Sequence, residues 1–189
     1  MASLMIHMVV AQEFCKKNNI ENIELFLKGN LSPDLTENKQ LAHGVTDYKP
    51  LKNYDDVIRG RVNLQVCCKL LDLNDDFQKG VFLHLITDYY FYNHYMVNLE
   101  TYKSITNKTH EKVNPIVYDE YGKVARVLIS KFDDIRLDLL PDFARVVSEK
   151  DMVLFSKEGI LNVIEVCSSF DLLEIFNKVK QEEGFNFIK

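Results

Sequence analysis

Apolar residues recur at helical spacing along almost the whole chain, and no stretch alternates long enough to argue a series of strands. Residues 3 to 17 begin with Leu4, Met5, Ile6, Met8, Val9, Val10, Ala11 and Phe14, which leave no polar face over two turns. A helix of that kind is buried on every side. Residues 21 to 29 repeat the pattern with Ile23, Leu25, Phe26 and Leu27, and the stretch Gly29-Asn30-Leu31-Ser32-Pro33-Asp34 predicts its end, placing Asp34 on a turn. Residues 35 to 55 are polar, contain Gly44 and Pro50, and read as a long loop carrying His43. Loops of that length inside a domain often serve function.

A helix over about 61 to 71 leads through the N-capping residues Asn74, Asp75 and Asp76 into the most apolar segment of the chain. That segment, FQKGVFLHLITDYYFYNHYMVNL, predicts one helix of about six turns from Phe77 to Leu99. A linker rich in Thr, Lys and Asn follows, then helical periodicity over 115 to 132, 157 to 168 and 170 to 182. Six or seven helices, with no internal repeat and no domain linker, predict a single all-α domain over 1–189: a multi-helix bundle around a long central buried helix.

Composition narrows the class. The chain has 189 residues and 22.0 kDa, and 47% apolar against 27% charged residues argues for a packed core rather than a disordered tail or a membrane bundle. A formal charge of -5 disfavours duplex nucleic acid held by a basic patch, so any anionic substrate needs a local source of positive charge. Cys15, Cys67, Cys68 and Cys167 form no C-x-x-C and read as buried free thiols. No run reaches the ~18 apolar residues of a transmembrane segment. The N-terminal stretch lacks a basic n-region and is interrupted by His7, which predicts mature structure in a cytoplasmic protein.

His84 and Asp88 stand at i and i+4 in the apolar segment, so both project from one helix face. Inside a buried helix a His and an Asp cost several kcal/mol unless satisfied, and the two candidates to satisfy them are a metal and each other. His7 is the only strongly polar residue in the first eleven, on the other all-apolar helix. With Asp34 and His43 the set becomes three His and two Asp, ligand types favoured by zinc and its neighbours. Competing motifs are absent: there is no H-E-x-x-H, no Glu three residues before a His, no His followed by Asp, no G-x-S-x-G and no glycine-rich phosphate loop.

Three pieces of sequence, MIHMVVAQEF, FLKGNLSPDL and GVFLHLITDYYFYNHY, resemble the zinc-dependent phospholipase C family, with the fungal single-strand nucleases as more distant relatives. The resemblance covers about the first hundred residues and rests on the order of an early helical His, a G-x-x-x-P-D turn, a loop His and an H-x-x-x-D. It implies an all-α scaffold that clusters zinc ions for phosphate-ester hydrolysis. Carried over by position, it makes Asp34, His43, His84 and Asp88 the ligands of one zinc, and gives His7 a second zinc bridged by Asp88. His94 matches a further metal position. The chain departs from the pattern there, because the only downstream His, His110, is followed by Asn114 where a carboxylate belongs. Secreted members also use a processed N-terminal residue as a ligand, whereas this chain begins MASLMIH.

Two divalent ions would bring +4 and the two aspartates return -2, leaving about +2 to hold a phosphate on an acidic protein. Two close metals lower the pKa of a shared water and clamp phosphoryl oxygens. The resemblance suggests Asp34 as the group that orients or deprotonates that water. Phe91, Tyr92 and Tyr95 are read either as the wall of a substrate groove or as plain core. The expectation is a metal-dependent phosphoesterase, phospholipase C-like, using zinc, with iron or nickel as substitutes, on a phosphate-ester small molecule or a phospholipid. The alternative is a non-catalytic helical binding module with a structural or vestigial metal.

Overall fold

The computed structural model describes residues 2–45, 62–99, 108 and 110–181, and over these the chain is helix and turn with no strand. The α-helices are α1 (Leu4–Lys17), α2 (Ile23–Leu35), α3 (Lys39–Ala42), α4 (Leu64–Leu70), α5 (Asp76–Tyr90), α6 (His110–Lys131), α7 (Lys157–Cys167) and α8 (Leu172–Gln181). The all-α expectation therefore holds. Residues 46–55 of the expected loop, residue 61 of the next expected helix and residue 182 lie outside the described residues, as do the side chains of His110 and Asn114.

Helix α1 is buried from Leu4 through Ala11, as its all-round apolar surface requires, and packs on α2, α5, α6 and α7. Ser3 caps it by accepting the Ile6 N–H at 3.3 Å. At its other end Lys17 donates to Glu165, Ser168 and Ser169, pinning it to the end of α7.

Helix α2 does not stop at Gly29. It runs to Leu35, so Asp34 lies in its last turn and not on the expected turn. Both supposed breakers have compensations. A Cβ at Gly29 would lie 2.0 Å from the Phe77 carbonyl oxygen, and one at Gly80 would lie 2.1 Å from that of Phe26. The two glycines are thus where α2 and α5 touch backbone to backbone, and helical geometry is what the contact demands. Pro33 lacks the N–H that would bond the Gly29 carbonyl, and the Ser32 hydroxyl donates to that oxygen instead, at 2.9 Å.

The segment Phe77–Leu99 also departs from expectation. The α-helix ends at Tyr90, widens to a π-helix over Phe91–Tyr95 and tightens to a 3-10 turn over Met96–Asn98. Side-chain amides support carbonyls through the change of pitch: Asn93 Nδ2 donates to the Tyr89 oxygen at 2.9 Å and Asn98 Nδ2 to that of His94 at 2.5 Å. Because the pitch changes after Tyr90, Phe91, Tyr92 and Tyr95 do not continue the regular α-helical face of His84 and Asp88. Phe91 and Tyr92 are buried core, and the Tyr95 hydroxyl accepts the Ser156 N–H at 3.3 Å. The loop expected over 35 to 55 contains α3, capped by Asn38, and His43 is the C-cap residue of that short helix.

All four cysteines are free, and Cys67, Cys68 and Cys167 are buried. Burial raises the Cys67 thiol to about 11 and the Cys68 thiol to about 12.

Candidate metal centre

The contact between α2 and α5 assembles the centre. Asn30 and Asp34 are one turn apart on α2, and Gly80, His84 and Asp88 follow at the same spacing on α5. Asn30 Nδ2 donates to the Gly80 carbonyl at 3.2 Å, and the Asn30 carbonyl faces His84 Nδ1 at 2.8 Å. His43 reaches in from the end of α3 with its Nδ1 2.6 Å from the Lys39 carbonyl. His7 joins from α1, its ring stacked on that of His84 with centroids 3.7 Å apart.

A carbonyl only accepts, so each of these Nδ1 atoms carries a proton, and a neutral ring then presents a bare lone pair at Nε2. The Nε2 atoms of His43 and His84 face each other at 3.2 Å. Two lone pairs at that distance repel unless one ring is cationic or a cation lies beside both. A carbonyl bonded to the far ring nitrogen is also the usual support for a metal-ligating histidine.

The remaining atoms complete a ligand set. His43 Nε2 is 3.4 Å from Asp88 Oδ2 and 3.9 Å from Asp34 Oδ1, and His84 Nε2 is 3.8 Å from Asp88 Oδ2. With zinc bonds of about 2.0 to 2.2 Å, tetrahedral ligand atoms stand about 3.4 Å apart, and the ligand atoms of His43, His84 and Asp88 lie within 4.8 Å of one another, as do those of His7, Asp34 and His84, so the five side chains form two overlapping three-residue groups that share His84. None of these side chains is more than 4% exposed, and Asp34 Oδ1 and Asp88 Oδ2 have no hydrogen-bond partner. The alternative in which His84 and Asp88 satisfy each other is not what the structure shows, because 3.8 Å exceeds hydrogen-bond range.

Burial disfavours the charged form of His84, and the neighbouring His7 adds to this, holding it well below the usual imidazole range. Burial also opposes protonation of His43, but Asp88 and the Lys39 carbonyl outweigh it and raise that ring. Burial, then the charge of Asp88, pushes the Asp34 carboxyl up, whereas neighbouring positive charge, with the His43 and His7 rings beside it, outweighs burial and holds Asp88 well below the carboxylate range. With no cation present, the surroundings of His43 favour its protonated form and those of His84 its neutral form.

His7 Nε2 is 3.3 Å from Asp88 Oδ1, and neither nitrogen of its ring has a hydrogen-bond partner. That carboxylate oxygen already accepts the Ala2 backbone N–H at 2.7 Å. A second metal held by His7 and Asp88 would therefore share an oxygen that is in use, whereas the ligand atom of His7 also lies within 4.8 Å of those of Asp34 and His84. His94 does not join the cluster. It stacks on Tyr90 with centroids 5.2 Å apart. Glu120 is fully engaged elsewhere: its carboxylate accepts the N–H groups of Val153, Leu154 and Phe155 and an ion pair from Lys123.

Sequence reasoning missed Asn30 and Lys39. Asn30 carried a readable signal, since it stands four residues before Asp34 on one helix face, next to the glycine that brings α5 close. Lys39 acts through its carbonyl, which no side-chain pattern reveals. Comparison with protein-family models, with curated proteins and with solved structures returned no match.

Proposed function

We propose that the protein is a metal-dependent phosphoester hydrolase that holds zinc through Asp34, His43, His84 and Asp88, with iron or nickel as substitutes. One observation carries the metal: two buried histidines, each fixed through Nδ1 by a backbone carbonyl, converge at Nε2 beside two carboxylate oxygens that have no partner. The step from metal to phosphoester is supported by the resemblance of MIHMVVAQEF, FLKGNLSPDL and GVFLHLITDYYFYNHY to the zinc-dependent phospholipase C family. A bound divalent ion would supply a Lewis acid for a phosphoryl oxygen and acidify water beside it. The chain's own residues fix the ligands and the charge. Asn30 and Lys39 set the ring tautomers, Asp34 orients or deprotonates the attacking water, and His7 with Asp88 offers the weaker second position. Occupied twice, the centre is cationic enough for an anionic ester, whether a soluble phosphate ester or a phospholipid headgroup. No helix among the described residues is long and apolar enough to cross a membrane, and four free thiols fit a reducing, cytoplasmic setting.

The decisive experiment is elemental analysis of protein purified without added metal, followed by a panel of phosphomonoesters and diesters assayed with and without chelator. Chelator-sensitive hydrolysis by protein holding one to two equivalents of metal is the expected result. Protein that neither carries nor takes up zinc refutes the reading.

The burial of all the ligands favours a second reading, a structural metal in a non-catalytic helical binding module. Structural zinc sites are closed, whereas catalytic ones keep an exchangeable position. A cobalt-substituted protein separates the two, because added phosphate changes the visible spectrum only where a coordination position is open.

A further inference from the structure

Segment 37–45 is held to the rest of the described structure in an unusual way. Residues 37–41 are exposed, Ala42 and Val45 are half-buried, and the only buried residues are His43 and Gly44. Leu41, its one large apolar side chain besides Val45, is 60% exposed. Its own amides bond locally: Ala42 N–H to Asn38, His43 N–H to Lys39, Gly44 N–H to Leu41 and Val45 N–H to Gln40. Among the described residues, the hydrogen bonds that leave the segment run through His43 alone, its ring to His84 and its carbonyl to the Asn63 N–H at 2.8 Å. Gly44, at a φ of 73°, lets the backbone lie against the start of α4, where a Cβ would sit 2.7 Å from the Asn63 carbonyl oxygen and 2.8 Å from Cys67 Sγ.

A segment with no buried apolar side chain belongs to the part of a protein that opens most easily. A buried histidine makes a poor anchor when its Nε2 faces another Nε2, and a good one when a cation satisfies both. The centre is also sealed, so an ion enters or leaves only if something moves. His43 is the one ligand that does not stand on α1, α2 or α5, the mutually packed helices that carry the others.

We propose that segment 37–45 is the gate of the centre and that the bound ion is its latch: ligation of His43 closes the segment, and loss of the ion releases it together with the start of α4. This rests on the metal reading above. The full chain is compared by hydrogen exchange and mass spectrometry after chelator treatment and with one equivalent of zinc, with zinc uptake measured calorimetrically on the same samples.

The latch requires the amides of 41–45 and Asn63 to exchange about tenfold or more slowly with zinc, while α7 is unchanged and so reports an intact fold. His43→Ala abolishes the zinc effect on these amides and weakens zinc binding. Leu41→Ala behaves as the wild type in both respects. Zinc uptake with no change at 41–45 overturns the latch and leaves the metal centre standing. Failure to take up zinc overturns both. Equal loss of protection in Leu41→Ala also overturns the latch, because apolar contact would then be holding the segment.

Discussion

Asp88→Asn separates a metal centre from a buried polar cluster by stability alone. Asp88 is fully buried, and its oxygens lie 3.3 to 3.8 Å from the three ring nitrogens of His7, His43 and His84. Asparagine keeps the shape and an oxygen for the Ala2 N–H but loses the charge. Without metal the change removes the attraction between Asp88 and the His43 ring, whose protonated form Asp88 favours, and also the repulsion from Asp34, and the balance should stay within about 2 kcal/mol. With metal the difference is larger, because an ion at a thousand times its Kd stabilises the native state by about 4 kcal/mol. For a chain of this length each kcal/mol moves Tm by about 2 to 4 °C, so zinc should raise the wild-type Tm by about 8 to 16 °C. The assay is thermal melting of wild type, Asp88→Asn and Asp88→Ala in chelator and in excess zinc. Zinc should move only the wild type strongly, and Asp88→Ala should melt lowest in chelator because it leaves the buried Ala2 N–H without its acceptor. Wild-type curves that coincide in zinc and chelator would refute the reasoning and leave a packed polar cluster.

Other consequences follow from particular residues. His94→Ala should leave zinc content at the wild-type level by elemental analysis, since His94 stacks on Tyr90 outside the cluster; losing one equivalent would reveal a third site. Gly80→Ala should cost about 1 to 3 kcal/mol or more, measured by urea unfolding, and weaken zinc binding in calorimetry, because its Cβ must displace the Phe26 carbonyl and part α2 from α5. Asp76→Ala should cost about 1.5 to 3 kcal/mol, since its carboxylate accepts the Asn22 N–H at 2.7 Å and pairs with Lys79. Lys79, then the Asn22 N–H, holds the Asp76 carboxyl below its ordinary value. Its contribution is therefore full above the unfolded value of about 3.9 and is lost as pH falls through the lower folded value, so wild type and Asp76→Ala should converge in acid unfolding below about pH 4.

How far the fold can be read from sequence depends on what each residue's neighbours do. Leu4 through Ala11 announce a buried helix because an all-round apolar surface has no other stable place, and α1 is that helix. Gly29 and Pro33 mislead because their usual meaning as breakers assumes solvent or nothing beside them. Here the Phe77 carbonyl occupies the space a Cβ would need, and Ser32 supplies the donor that Pro33 lacks. The first compensation lies forty-eight residues away in the chain, beyond any local pattern. The π-helix at Phe91–Tyr95 is hidden for a similar reason, since a change of pitch costs no change in apolar composition.

The candidate centre was legible as a set of residue types, and the structure converts that set into geometry. His7, Asp34, His43, His84 and Asp88 meet, but their meeting is decided by two glycines and an asparagine rather than by the ligands. If α2 and α5 stood at the ordinary helix separation of 8 to 10 Å set by larger side chains, the Asn30 carbonyl would not meet His84 Nδ1. That ring would then lose the partner that fixes its tautomer, and the lone pair at Nε2 would no longer be directed toward His43. The closeness of the helix contact and the protonation pattern of the centre are therefore one feature. A variant that widens the contact should weaken metal binding even though every ligand is present, which is why Gly80→Ala tests the centre as directly as replacing Asp88.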